Sequence, residues 1–437
     1  MAEQVLRTLM RTTDVIVAGF FSPAAVAAVG LADIYSRLPL WLGLGVGSGA
    51  IALSSQDTGS GAEANRDQAV SQALALGVLA GLPFALFGLL FSYGAIAVLG
   101  AEREVVRIGG LYLAVIMVTA PSYHVVLIAS RSIQGTGDTR TPMYVNGAAN
   151  LLNISGTVAL AFGLGPLPEL SVLGIAVATA ASDTLAALAL VAVIARPRGE
   201  LSLVRPTDLT ITKQLVTISA PRVAEGVTEL IAQFPFNAIL LAFGTEVNAA
   251  YHIGRRMEQQ FAGPLSRGYG TAANILAGQS LGRGEPETAY FDGWAAAGLA
   301  ALTVGALGLV LVAGAEWFVL AFTRDPTTVA YATDFARAYG IAAVFIALYV
   351  VIAGSLRGGS ETVSPFVAKL SGTVVFLLGI SYVFGIRLEY GVVAAYVAIV
   401  ADFAWRNVVV GSVYYRRNWL DRGAEMMHER GSVGDED

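Results

Sequence analysis

Apolar runs of twenty residues and more recur along the chain, separated by short polar stretches that carry arginines. "AVSQALALGVLAGLPFALFGLLF" and "GWAAAGLAALTVGALGLVLVAGAEWFVLAF" are two of them. Each exceeds the roughly 20 residues that cross a bilayer as a helix. About twelve such spans lie near residues 3–21, 25–54, 69–98, 105–133, 141–164, 172–195, 209–243, 246–279, 289–323, 327–356, 362–385 and 389–415. In hydrocarbon a backbone segment must satisfy its own polar groups, so these runs predict helices. The pattern is that of an all-α polytopic membrane protein.

The order of motifs adds a repeat. "SQDTGSG" at Ser55–Gly61 aligns with "GQSLGRG" at Gly278–Gly284, and "QGTGDTRTP" at Gln134–Pro142 aligns with "RGGSETVSP" at Arg357–Pro365. Both alignments share one offset of 223 residues, pairing Gln56 with Gln279 and Asp138 with Glu361. Two loops matching at one offset predict two six-helix lobes related by a parallel internal repeat. The proline-bearing stretch "RPRGELSLVRPTDLTITKQ" lies between the halves, which sets the expected lobes at 1–200 and 201–418, with a cytoplasmic tail at 419–437. The offset also pairs Asn237 with Asp14, so the counterpart of Pro221 falls before Met1 and the first helix reads as truncated at its N-terminus, either through a late start, the favoured reading, or because the helix begins within the membrane. Repeat-built transporters place substrate between their halves, whose rocking gives alternating access.

Composition agrees and narrows the classes. Of 437 residues 55% are hydrophobic and 14% charged, against about a quarter charged in soluble domains, and mean hydropathy is +0.64. The net charge of −5 carries no nucleic-acid footprint, and the absence of cysteine excludes disulfides and thiolate metal sites. Three scattered histidines, His124, His252 and His428, make no acid–base or metal constellation, so no enzyme is expected. Arg66, Arg140, Arg196, Arg198, Arg205, Lys213 and Arg283 fall in alternate loops, and Arg416, Arg417, Arg422 and Arg430 follow the last span. The positive-inside rule then puts both termini in the cytoplasm.

Several in-span polar groups are candidates for chemistry. Asp14, in "RTTDVIVAGFF", is a carboxylate inside an apolar run; such a group faces a cavity, pairs or titrates. It is either an exchangeable negative charge or a packing aspartate paired with Arg11. Asn146, Asn150 and Asn153 fall at i, i+4 and i+7 on one helix face, suited to a polar cavity or to interhelical hydrogen bonding. Glu225, Glu229, Gln233 and Asn237 are spaced by four and draw a polar stripe along the seventh span. Glu225 has Arg222 at i−3 as a simple partner, and a buried salt bridge is the alternative for Glu229. Asp33 and Arg37 read as an i, i+4 ion pair. Asp138 and Glu361 suit helix capping in turns shaped by Gly and Pro.

"TTDVIVAGFFSPAAVAAVGLA" at Thr12–Ala32, "ALSSQDTGSG", "SIQGTGDTRTPMYVNGAANLLN" at Ser132–Asn153, "VNAAYHIGRRMEQ", "NILAGQSLGRG" and "LRGGSETVSP" together resemble the multidrug and toxic compound extrusion (MATE) family. The resemblance covers nearly the whole chain. It implies a twelve-helix transporter of the plasma membrane, functioning as a monomer, that exports small organic cations or amphipathic xenobiotics in exchange for Na⁺ or H⁺, with membrane lipids around it and no cofactor beyond the coupling ion. On this resemblance Asp14 and Asn153 match a cation-coupling site, with Asn150 and Thr179 as further oxygen donors and Asp14 with Asn153 as Na⁺ ligands. The family's second carboxylate is replaced by Thr157, which leaves one negative charge in that set. Tyr112 matches a cavity-lining tyrosine, Glu229 the seventh-helix glutamate of a NorM-like branch, and Glu361 an acid tied there to the cation site. Asn146, Glu225, Gln233 and Asn237 complete the expected substrate cavity. A lipid or isoprenoid-linked oligosaccharide flippase of the same superfamily is the alternative, kept open by Arg37, Arg255 and Arg256.

Overall fold

The computed structural model describes residues 2–197, 199–207 and 209–434; Arg198, counted above among the loop arginines, lies outside them. The described chain is helical, and each expected span is one helix or a broken pair. The chain divides into two compact units, the first made of Met1–Ser54 and Ala62–Ser219, the second of Ser55–Gly61 and Ala220–Asp437.

The first unit holds α1 (Ala2–Phe21), most of α2 (Pro23–Ser60), α3 (Glu63–Ala97), α4 (Arg103–Val118), α5 (Ala120–Gly135), α6 (Arg140–Phe162), α7 (Val172–Ile194) and the start of α8 (Leu209–Phe243). α4 and α5 form a pair bent by 45°. Its core is rich in alanine (Ala18, Ala25, Ala28, Ala32, Ala161, Ala176), small side chains that let helix backbones approach where apolar burial from water gives no drive. The second unit holds the rest of α8, then α9 (Thr245–Phe261), α10 (Gly263–Gly282), α11 (Pro286–Ala313), α12 (Ala315–Val319), α13 (Pro326–Gly358), α14 (Val363–Ser371), α15 (Val393–Arg416) and α16 (Asn418–Gly434). α14 continues as a π-wound segment, Gly372–Arg387.

Among the described residues eight helices, or nine if the bent pair is one span, are long and apolar enough to cross a membrane by composition. The remaining expected spans are α1, α6 and the α9–α10 pair. These carry Asp14, the three asparagines, and Arg255, Arg256 and Glu258. Their apolarity is diluted by the polar groups that mark a site.

The division falls at 219/220, inside α8, rather than at the expected 200/201. The intervening stretch runs along the start of α3: Ser202 N donates to Asp67 (3.0 Å), Val204 N to Ser71 (2.9 Å), and Gln68 to the Arg205 carbonyl (2.8 Å). Thr212 then binds Gln72 (2.5 Å), so the opening turns of α8 stay with the first unit. Conversely, Gln56 donates to the Gly358 carbonyl (2.7 Å) and to Ser360 (3.0 Å), which places the end of α2 in the second unit. The stretch expected as a tail is helix α16. Its Trp419 is buried on Tyr414 (rings stacked, 5.1 Å) and its Arg430 is buried on Asp57 (2.7 Å).

Candidate functional site

In the first unit the buried face of α6 is polar. Asn146, Asn150, Asn153 and Thr157 follow one another at helical spacing, and all are shielded from solvent. α6 ends at Gly163, whose left-handed φ of 67° closes the helix without a Cβ clash. Beyond it, α7 can pack tightly because residue 174 is glycine; a Cβ there would lie 2.6 Å from the Leu160 carbonyl carbon. That approach brings Asn153 Nδ2 to Thr179 Oγ1 (2.9 Å) and Ser182 Oγ (3.4 Å). Asp14, on α1, is buried and accepts a hydrogen bond from Thr157 Oγ1 (3.1 Å). The residue that replaces the family's second acid is therefore a direct partner of Asp14.

Two atoms of this set are buried without a hydrogen bond: the Asn153 carbonyl oxygen Oδ1 and the Asn150 amide nitrogen Nδ2. A buried unpaired amide oxygen costs about 1–3 kcal/mol, and it is a ready donor to a hard cation. Asp183, one turn beyond Thr179 on α7, lies near enough for its charge to act on Asp14. The Arg11 guanidinium acts on Asp14 as well, so Asp14 feels one basic and one acidic neighbour. Asp183 was not among the expected site residues. A lone carboxylate inside the apolar run "ATAASDTLAALAL", four residues after Thr179, was the signal for it. Asn146 donates to Ser130 (3.2 Å), and Tyr112 is buried in the apolar core formed by α1, α2, α4 and their neighbours.

The second unit gathers a different set. Glu229 accepts from Lys369 Nζ (2.6 Å) and Arg255 (2.9 Å). One turn earlier, Glu225 is fully buried between Arg222 (2.5 Å) and Arg357 (3.0 Å). Arg406 pairs with Asp402, donates to Thr373 (3.2 Å), and lies 4.5 Å over the Phe403 ring. A Cβ at residue 372 would collide with Asp402, so Gly372 lets α15 seat this pair against the π-wound segment. Gln233 is partly buried, and Asn237 accepts from Asn248 (3.1 Å) nearer the far end of α8. The polar stripe of α8 is thus split, its two acids locked in ion pairs and its two amides apart from them. Lys369, Arg357, Asp402 and Arg406 were not expected here, because the partners of Glu229 and Glu225 come from 140 and 132 residues away.

The two repeat-related turns hold equivalent caps. Asp138 Oδ1 accepts the backbone N–H of Thr141 (2.9 Å) and of Arg140 (3.0 Å); Glu361 Oε1 accepts the N–H (2.8 Å) and hydroxyl (2.8 Å) of Ser364. Burial works against the Asp138 charge, but the hydrogen bonds from Thr141 and Arg140 outweigh it and hold the carboxyl below its ordinary range. Glu361 also binds Arg422 of α16 (2.9 Å), so its two carboxylate oxygens serve a turn cap and an ion pair. Asp33 and Arg37 form the expected i, i+4 pair at 3.2 Å.

The MatE family profile matches residues 1–158 and 221–383. The chain is similar to a probable multidrug resistance protein NorM of Thermotoga maritima, 28% identical over 335 residues, covering 75% of this chain and 71% of that protein. It is likewise similar to a probable multidrug resistance protein NorM of Rhodopseudomonas palustris, 28% identical over 424 residues, 94% of this chain and 86% of that one. Among solved structures, a MATE protein in the straight conformation superposes with a TM-score of 0.88 at 19% identity, covering 97% of this chain and 94% of that one. A MOP superfamily transporter from Pyrococcus furiosus, described as having a binding pocket of reverse polarity that suggests a different function, superposes at 0.82 with 19% identity, over 98% and 94% of the two chains. At these identities the solved structures speak for the fold.

Proposed function

This chain belongs to the MatE family of membrane transporters, and from that premise we propose that it is a multidrug exporter. It moves small organic cations or amphipathic xenobiotics out of the cell across the plasma membrane, in exchange for Na⁺ or H⁺, by alternating access. The arginine pattern supports cytoplasmic termini. The names of its NorM relatives support drug efflux.

The observation that carries coupling is the Asp14 set in the first unit. Asp14 is buried and accepts a hydrogen bond from a neutral hydroxyl; Asn153 Oδ1 is buried without a partner; Thr179 adds an oxygen, and the charges of Arg11 and Asp183 both act on Asp14. Oxygen donors with up to two carboxylates suit a hard monovalent cation, and a proton on Asp14 neutralises the same charge. Either ion would be exchanged for cargo by cancelling the charge that the cation must displace. In this reading Asn150 and Asn146 line the approach to the set. Glu229 and Glu361 have built-in basic partners, so they rank below Asp14 for coupling.

The test is ethidium efflux from energised vesicles under an imposed pH or Na⁺ gradient. Wild type should export, and Asp14→Asn should lose gradient-driven efflux. Unchanged efflux in Asp14→Asn under both gradients overturns the coupling assignment. The alternative function, a flippase for lipid or isoprenoid-linked oligosaccharides, is favoured by the basic side chains of the second unit, and absence of efflux from folded wild type under either gradient would turn the reading to it.

A further inference from the structure

His124, on α5, is fully buried and makes contacts through both of its ring nitrogens. Nδ1 lies 2.9 Å from the Gly77 carbonyl oxygen of α3, and Nε2 lies 2.8 Å from the Pro39 carbonyl oxygen of α2. All three elements belong to the first unit at these positions. A carbonyl oxygen only accepts, so a ring nitrogen bonded to one must donate. A neutral imidazole carries one N–H and serves one of the two carbonyls; only the imidazolium serves both. Each carbonyl has two lone pairs, so it accepts from the ring without giving up its helical N–H.

The contact is built by small residues. A Cβ at residue 43 would lie 2.9 Å from His124 Cδ2, and one at residue 77 would lie 2.2 Å from Ile128 Cδ1. A Cβ at residue 81 would lie 2.6 Å from Pro121 Cα. Glycine at these three positions lets α2 and α3 lie against α5, close enough for their carbonyls to reach the ring. Phe84 packs beside it, its ring perpendicular to the imidazole with centroids 6.2 Å apart. The ionisable groups nearest the contact along the packed elements are Arg37 of α2, Tyr112 of α4, Tyr123 and Arg131 of α5, Tyr144 of α6 and Asp183 of α7; α3 has none between Asp67 and Tyr93. Among the described residues none of these, nor Asp14, acts on the ring, which feels only burial and the two carbonyls. Burial opposes a charge there and the carbonyl dipoles favour it, on the one side chain that ordinarily titrates between about pH 5 and 8.

We propose that His124 is a proton-binding site of the first unit, separate from Asp14, whose proton staples α2 and α3 to α5. In the imidazolium form Nδ1–H and Nε2–H hold the two carbonyls together. When the proton leaves, one nitrogen presents a lone pair to a carbonyl oxygen, and that contact opens. Pro39 lies inside α2 and has no N–H, so α2 already lacks one helical hydrogen bond at the turn that the staple holds. The site takes no ligand but a proton, and it stands whether or not the chain is an exporter. In an exporter it makes the packing of α2 respond to pH through a residue other than Asp14.

The experiment uses the full chain in lipid nanodiscs with isotope-labelled histidine. His252 and His428, both exposed, are replaced by glutamine so that His124 gives the only ring signals. NMR then counts the protons on its two nitrogens from about pH 5 to about pH 9, a range that brackets the ordinary histidine titration. Two protonated nitrogens at the acid end and one at the alkaline end is the expected result. One protonated nitrogen throughout overturns the site; two throughout make the ring a fixed cation and overturn it as well. Hydrogen exchange in the unsubstituted chain reads the staple. After correction for intrinsic rates, amides of α2 around residues 39–43 should lose about 10-fold in protection across the same titration, the size of one charged hydrogen bond. His124→Gln should make that protection independent of pH. Protection that ignores the titration in wild type, or a pH response that survives in His124→Gln, overturns the staple. Where His124→Gln fails to fold, the proton count and the wild-type exchange profile decide alone.

Discussion

The polar interiors of the two units differ in sign and in how they are satisfied. The first unit sets buried Asp14 and partly buried Asp183 among neutral groups, Asn150, Asn153, Thr157, Thr179 and Ser182, with Arg11 as the one base acting on Asp14. Some of these groups are left without partners. The second unit sets five bases, Lys369 and Arg406 of them buried, around Glu225, Glu229 and Asp402, each acid held by at least one base at hydrogen-bond distance. The repeat therefore kept the scaffold and let the interiors diverge. A cluster with spare oxygen atoms is prepared to take and release a small cation. A cluster of interlocked ion pairs resists loss of any one member, because the group left behind is a bare charge in a low dielectric.

That contrast yields predictions of decreasing size. Glu225→Ala strips Arg222 and Arg357 of their shared partner and should destabilise the second unit by about 3–5 kcal/mol, read as a large fall in thermal midpoint in detergent. Asp14→Asn should separate function from stability. Gradient-driven ethidium efflux is expected to vanish while stability stays within about 1 kcal/mol of wild type, since the amide still accepts from Thr157. A comparable stability loss in both variants would erase the distinction between the two interiors. Asp183→Asn sharpens the account of the first unit. If Asp183 supplies its second negative charge, the half-saturating concentration of the coupling ion should rise severalfold in efflux assays, with the maximal rate less affected.

The smallest effects are expected at the repeat-related turns, where the units agree. Asp138→Ala should cost roughly 1 kcal/mol as a lost helix cap. Because the folded carboxyl lies below its ordinary value, the Asp138 contribution is present above that ordinary value and is lost as pH falls through the depressed one. Glu361→Ala should cost more than Asp138→Ala, since it also releases Arg422 of α16. Chemical denaturation of the two variants side by side checks the ordering.

The residues themselves show how far sequence reading reached. Asp14, Asn153 and Thr179 were legible because each is a polar group within an apolar run, a local signal, and the structure gathers them around α6 and α7. Asp183 carries the same signal, a lone carboxylate in an apolar run four residues after Thr179. Lys369 was visible as one of the few lysines, yet nothing local announced that it would sit on Glu229. The same holds for α16: a polar C-terminal stretch reads as a tail, while Trp419 and Arg430 find buried partners only after the rest of the second unit is in place.

What the sequence determined by itself is what depends on neighbours along the chain. Hydropathy over twenty residues set the helices, the shared offset of 223 residues set the repeat, and Gly, Pro and a carboxylate at fixed spacing set the two capped turns. Tertiary structure decided the charge partners. An acid in a span pairs, titrates or binds an ion according to which side chain arrives opposite it, and for Glu229 that side chain comes from 140 residues away. Electrostatic energy in a low-dielectric bundle depends on distances through space, which no local pattern encodes.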